Sequence, residues 1–110
     1  MIKPEQKFVE LSQKIGSINK TTGQIGIELQ ALASENDKLI QRFMRAGKQG
    51  QDARPILARM KAVSVRRSAL LNQTAECYKA QAALWQESVE IIDELNTEYT
   101  RLWFLCHPPS

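Results

Sequence analysis

The stretch from Phe8 to Ala46, FVELSQKIGSINKTTGQIGIELQALASENDKLIQRFMRA, decides the fold. Within it Phe8, Leu11, Ile15, Ile18, Thr22, Ile25, Leu29, Leu32, Asn36, Leu39, Phe43 and Ala46 follow one unbroken alternation of threes and fours. An α-helix turns about 100° per residue, so this spacing gathers all of these side chains on one stripe, the seam of a coiled coil. The pattern predicts one long helix with a narrow apolar face.

Punctuation residues set the limits of that helix. Pro4 suits a first helical position, because its missing amide hydrogen would have no partner there. The seam ends at Ala46, and Gly47 and Gly50 follow, residues able to take the left-handed conformation that closes a helix. Asp52 is a candidate N-cap for a second helix, and Pro55 is tolerated in its first turn. No further proline occurs until Pro108, whose predecessor is pushed out of helical geometry. The expected organisation is a single all-α domain: a helix over about 4–46, a basic turn over about 47–54, a helix over about 55–105 and a short tail at 106–110. Runs of β-branched residues between turn signals, which strands would need, are missing.

The second helix carries two apolar columns. Leu57, Ser64, Leu71, Tyr78, Trp85, Ile92 and Tyr99 stand seven apart, and beside them run Ile56, Val63, Leu70, Cys77, Leu84 and Ile91. Met60, Ala75, Ala82, Val89, Leu95 and Leu102 widen the stripe. Two adjacent columns exceed what one partner helix covers. With so short a connection the helices fold back antiparallel, residue i opposite roughly residue 100 − i. The outer column then faces water, and contiguous apolar surface of that kind marks an interface. The expected architecture is a long antiparallel, coiled-coil-like hairpin, completed to a four-helix bundle by dimerisation or by a partner protein.

The same register sets Gly16 near Leu84 and Trp85, and Gly23 near Cys77 and Tyr78. The glycines are then either sockets for large rings or plain weak points in the helix, at about 1 kcal/mol each relative to Ala. A kink or break at Thr21-Thr22-Gly23, giving a self-contained three-helix bundle, is the variant architecture. Leu102-Trp103-Phe104-Leu105 cannot all share one side of a helix, and they are expected to fold over the open end of the bundle near Phe8.

Charge is unevenly spread. From Gln41 to Arg67 the basic residues Arg42, Arg45, Lys48, Arg54, Arg59, Lys61, Arg66 and Arg67 face only Asp52, a local balance of 8 − 1 = +7 against a chain total of +3. From Glu76 to Arg101 six acids outweigh Lys79 and Arg101, 2 − 6 = −4. Six of the eight cations at the turn are Arg, the side chain best suited to paired hydrogen bonds with phosphate or carboxylate. Two hairpins packed antiparallel would set basic beside acidic, which favours orientation more than affinity. Nucleic acid is the alternative partner for this end, although only Phe43 could stack on a base and the seam claims it.

Constellations for chemistry are weak. His107 is the single histidine and lies beside Cys106 near the C-terminal prolines, with no third group to orient it and too few ligands for zinc. Glu87, Glu90 and Glu94 share a helix face but lack the histidine three residues on that carboxylate metal bundles use. The two glycine pairs lack the preceding strand of a phosphate loop. No catalytic residue, metal, cofactor or small-molecule substrate is implied.

No run of apolar residues is long enough to span a membrane, and the first residues lack the apolar core of a signal peptide. Cys77 and Cys106, 29 residues apart on one helix, would be separated by roughly 43 Å, far beyond disulfide reach. These points predict a cytoplasmic protein with reduced thiols. The expected function is a non-enzymatic protein-interaction module, of the kind used as small adaptors, chaperones or inhibitors, or a homodimer. It would bind through Leu71, Tyr78, Trp85, Ile92 and Tyr99, with Trp103 and Phe104 beyond them. The runner-up is nucleic-acid binding by the cations of residues 41–67.

Overall fold

The computed structural model describes residues 3–109 and contains two helices, α1 (Pro4–Gln49) and α2 (Arg54–Cys106), paired as an antiparallel hairpin. No helix among the described residues is long and apolar enough to cross a membrane. Pro4 is the first residue of α1, with the Lys7 amide donating to the Lys3 carbonyl to open the helical ladder.

The link between the helices is shorter than the sequence suggests, because Gly47 stays helical and only Gly50 turns left-handed, at φ 68°. The Gln51 amide donates to the Ala46 carbonyl at 2.9 Å and the Gly50 amide to the Gly47 carbonyl at 3.5 Å, the paired bonds of a Schellman cap. Asp52 opens α2 by accepting a hydrogen bond from the Arg54 amide at 3.0 Å, so it caps the helix from two residues before its first turn. Four residues, 50–53, therefore suffice for the reversal.

Ten of the twelve α1 seam positions are buried or half-buried; Phe8 and Phe43, at 36% and 38% exposure, are the other two. On α2 the inner surface is a second seam of the same kind. Ile56, Met60, Val63, Arg67, Leu70, Thr74, Cys77, Gln81, Leu84, Ser88, Ile91, Leu95 and Glu98, again in threes and fours, are its only positions that are not exposed. Every second member from Arg67 to Ser88 is polar, so the apolar half of this seam is the column from Ile56 to Ile91.

The hairpin divides into two compact units, Thr21–Cys77 and the combination of Met1–Lys20 with Tyr78–Ser110. In the first, Ile25, Leu32, Leu39, Val63 and Leu70 form the core, with Leu29, Ile56, Met60 and Cys77 packed against it. In the second, Leu11, Ile15 and Ile91 are buried, with Leu84 and Leu95 against them. Asn19 pairs with Gln81 by a side-chain hydrogen bond, in line with the antiparallel register.

Two alternatives are decided and one expectation is corrected. A Cβ built on Gly16, Gly23 or Gly26 would have no neighbour within 4 Å, so these glycines are not sockets for any side chain of this chain. Helix α1 runs unbroken through Thr21-Thr22-Gly23, because the seam on either side keeps its register and the backbone has no reason to turn. That continuity excludes the three-helix variant. The aromatic tail does not fold back either: α2 continues to Cys106, and Leu102, Trp103, Phe104 and Leu105 remain 42–70% exposed.

Candidate protein-interaction surface

One residue after each seam position, a helix has turned about 100° farther. On α2 that step leads from the buried seam to Leu71, Ala75, Tyr78, Ala82, Trp85, Val89, Ile92, Asn96, Tyr99 and Trp103, all exposed. Their spacing is again three and four. The helix therefore carries two heptad stripes, of which α1 occupies the first only. On the second, Leu71 is 55% exposed, Tyr78 58%, Trp85 56%, Ile92 50%, Tyr99 57% and Trp103 56%. Asn96 is the member that apolar periodicity overlooks; its place four residues after Ile92 is the signal that finds it.

Phe104 lies one further step around α2 and so stands outside this stripe, 58% exposed. Its ring meets the edge of Trp103 at 5.2 Å and 86°. His107 stacks on Trp103, the ring centroids 4.5 Å apart and the planes 15° from parallel, with Nδ1 3.0 Å from the Trp103 carbonyl oxygen. Cys77 and Cys106 are both free thiols, the first half-buried and the second exposed.

The flank preceding each seam has the opposite character. In unit Thr21–Cys77 the Arg66 guanidinium grips Glu28 through Nε at 2.9 Å and Nη2 at 3.0 Å. Arg59 grips Glu35 in the same way, at 2.6 and 2.9 Å. In the other unit Lys7, Glu10 and Lys14 of α1 and Glu87, Glu90 and Glu94 of α2 line an open groove over Leu11 and Ile91. Within each unit, then, charge collects on one flank of the helix pair. Because α1 and α2 are antiparallel and both right-handed, the step after the seam carries both helices to the other flank, where the aromatic stripe lies. On α1 that flank carries Ser12, Gly16 and Asn19 in one unit and Gly23, Gly26 and Ala33 in the other.

The basic residues of 41–67 do not act as one group. Arg54 makes hydrogen bonds of 2.9–3.1 Å to both oxygens of Asp52, while Arg59 and Arg66 are held by Glu35 and Glu28. These hydrogen bonds keep the carboxyls of Asp52, Glu35 and Glu28 below their ordinary range and raise the three guanidinium groups further. Arg67 belongs to the α2 seam, half-buried, and its Nε is buried without a hydrogen-bond partner. Arg42, Arg45, Lys48 and Lys61 remain exposed, with no ion pair among the described residues. Arg45 and Lys48 border a shallow depression with Gln41 and Met44.

Among the described residues no three His, Cys, Asp or Glu side chains are arranged to hold a metal ion. The chain matches no protein-family model, no curated protein and no solved structure.

Proposed function

We propose that this chain is a non-enzymatic protein-interaction module that works through the second heptad stripe of α2. The observation that carries the reading is the row of large apolar side chains from Leu71 to Trp103, each at least half exposed at helical spacing. Exposing that much aromatic surface is costly in water, and Trp and Tyr in such clusters dominate binding energies. The stripe has the three-and-four spacing of a coiled-coil seam, which suits a partner that is itself helical. An adaptor, chaperone or inhibitor works through such a face, and so does a homodimer. A cytoplasmic setting is the compartment in which Cys77 and Cys106 stay reduced.

The test is association by sedimentation and by affinity purification, for the native chain and for Trp85→Ala and Tyr78→Glu. Both substitutions are at exposed positions, so helicity should be retained while association is lost. A folded chain that stays monomeric and captures nothing, before and after substitution, would remove the reading.

A second reading, nucleic-acid binding at the turn, is supported by four exposed cations, Arg42, Arg45, Lys48 and Lys61, that form no ion pair among the described residues. It predicts affinity that falls steeply with salt and is abolished by Arg42→Glu with Arg45→Glu. Arg59 and Arg66 are poor probes of it, because each already holds a glutamate. Absence of binding at low salt would dispose of it.

A further inference from the structure

We infer that the occupant of the second stripe is the same stripe of a second copy, packed antiparallel about a two-fold axis level with Glu87. The inference rests on the reading of this stripe as the interaction surface and names what covers it.

Side-chain size sets the pairing. Along the stripe large residues at sevens, Tyr78, Trp85 and Ile92, alternate with small ones, Ala82, Val89 and Asn96. In an antiparallel coiled coil each layer joins one position type to the other. Tyr78 then meets Asn96 of the second copy, Ala82 meets Ile92, and Trp85 meets Val89, each pair occurring twice by symmetry. These layers, and the next one out, Ala75 on Tyr99, each join one large and one small side chain; only the end layer, Leu71 on Trp103, joins two large ones. A parallel, in-register pair would instead set Trp85 on Trp85 and Ala82 on Ala82, alternating clashes with gaps.

Charge selects the register. Lys79 and Asp93 lie one step outside the stripe, both exposed. In the register above Lys79 of one copy flanks Asp93 of the other, twice, about 3 Å apart in height, and Gln86 flanks its own counterpart beside the axis. Sliding by one heptad sets Lys79 opposite Gln86 in one direction and opposite Thr100 in the other, and both ion pairs are lost. The acids that would repel one another, Glu87, Glu90 and Glu94, line the opposite flank and stay in water. A complete aromatic side chain offers about 150–250 Å². The exposed halves of Tyr78, Trp85, Tyr99 and Trp103 thus supply roughly 400 Å² per copy, half of the about 800 Å² that each partner gives to a standard interface, before Val89 and Ile92 count.

The experiment uses the full chain in sedimentation equilibrium. The native chain is expected to be a dimer. Lys79→Glu alone and Asp93→Lys alone should each weaken it about tenfold, since both symmetric pairs turn repulsive, and the two together should restore it to within about threefold. With Cys77→Ala and Cys106→Ser as background, spin labels at Gln73→Cys or at Arg101→Cys should each report about 42 Å between copies, 28 residues at about 1.5 Å. Equal distances place the axis at Glu87; unequal ones overturn the register. A dimer lost on Trp85→Glu but indifferent to the charge exchange overturns this pairing and leaves the stripe as the interaction surface. A dimer indifferent to Trp85→Glu overturns both. A monomer overturns the second copy as occupant, and the capture experiment then decides the stripe.

Discussion

The two compact units of the hairpin close their cores to different degrees. In unit Thr21–Cys77 five buried apolar residues are flanked by two cross-helix Arg–Glu pairs, so the chain supplies both its own core and its own rim. In the unit of residues 3–20 and 78–109 only Leu11, Ile15 and Ile91 form the buried cluster. Outside it stand Tyr78, Trp85, Ile92, Tyr99 and Trp103. Burial of Tyr or Trp contributes more than burial of Ala or Val, yet here the largest side chains are the ones left out. This unit therefore folds on its smaller apolar residues and leaves its larger ones in water.

Breaking this contrast has its largest expected effect at Leu70, 1% exposed in the better-filled core. Leu70→Ala should cost about 3–5 kcal/mol in denaturant unfolding of the monomer, because the closely packed seam cannot collapse around the void. Trp85→Ala, which removes far more carbon, should change monomer stability by no more than about 0.5 kcal/mol, because that ring rests in water. Comparable losses at the two positions would mean that the exposed stripe contributes to the fold, and the contrast would fail.

The glycines give the next effect, with opposite signs. Gly50→Ala should destabilise by about 1–2 kcal/mol, because a Cβ opposes the left-handed conformation that closes α1. Gly26→Ala should stabilise by about 1 kcal/mol, since α1 is helical there and the added methyl meets nothing. Thermal melts of the two variants should therefore move in opposite directions from the native chain. A fall on Gly26→Ala would show that some neighbour does approach this flank.

Arg67 sharpens the comparison from within the better-filled unit, where it is the defect. Its Nε is buried and unpaired, and Arg67→Met keeps the aliphatic stem while removing the polar atom. The expected gain is about 1 kcal/mol in denaturant unfolding. A loss would mean that the guanidinium contributes through contacts made by its terminal nitrogens.

These residues also mark how far the fold can be read ahead of the structure. The α1 seam was plain because its burial stripe and its apolar stripe coincide. Helix α2 presents two adjacent stripes. Its buried one is interrupted by Arg67, Thr74, Gln81 and Ser88, while its exposed one is the more apolar from Leu71 to Trp103. Apolar periodicity alone cannot report that half of a seam is polar, so Arg67 read as a surface cation. The ion pairs of Arg59 and Arg66 were equally hidden, because Glu28 and Glu35 lie on the other helix and only the register brings them across. The glycines misled in the same way: an antiparallel register gives height along the helix, whereas a socket also requires the right flank. Helix α2 was legible through Leu105, whereas the exposure of Trp103 and Phe104 was obscured by the assumption that large apolar residues must find cover within their own chain.

The smallest effect belongs to the rim of the better-filled unit. The Arg66 and Arg59 guanidinium groups hold the Glu28 and Glu35 carboxyls below their ordinary value of 4.5, chiefly by hydrogen bonding and to a lesser extent by charge attraction. A carboxyl whose pKa is lower in the folded chain than in the unfolded one binds its proton more weakly when folded, so folding is favoured wherever the group is ionised. The contribution is complete above the ordinary value and disappears as pH falls through the lowered one. Both pairs are largely exposed, with Arg59 and Arg66 side chains 55% and 53% accessible, so water and salt screen them. Glu28→Gln with Glu35→Gln should therefore lower the melting temperature slightly at pH 7 in low salt, and native and variant chains should converge as pH drops below the lowered carboxyl values or as salt rises. A gap that persists in acid would assign the loss to packing of the glutamate stems, and the rim of this unit would then stabilise it by contact rather than by charge.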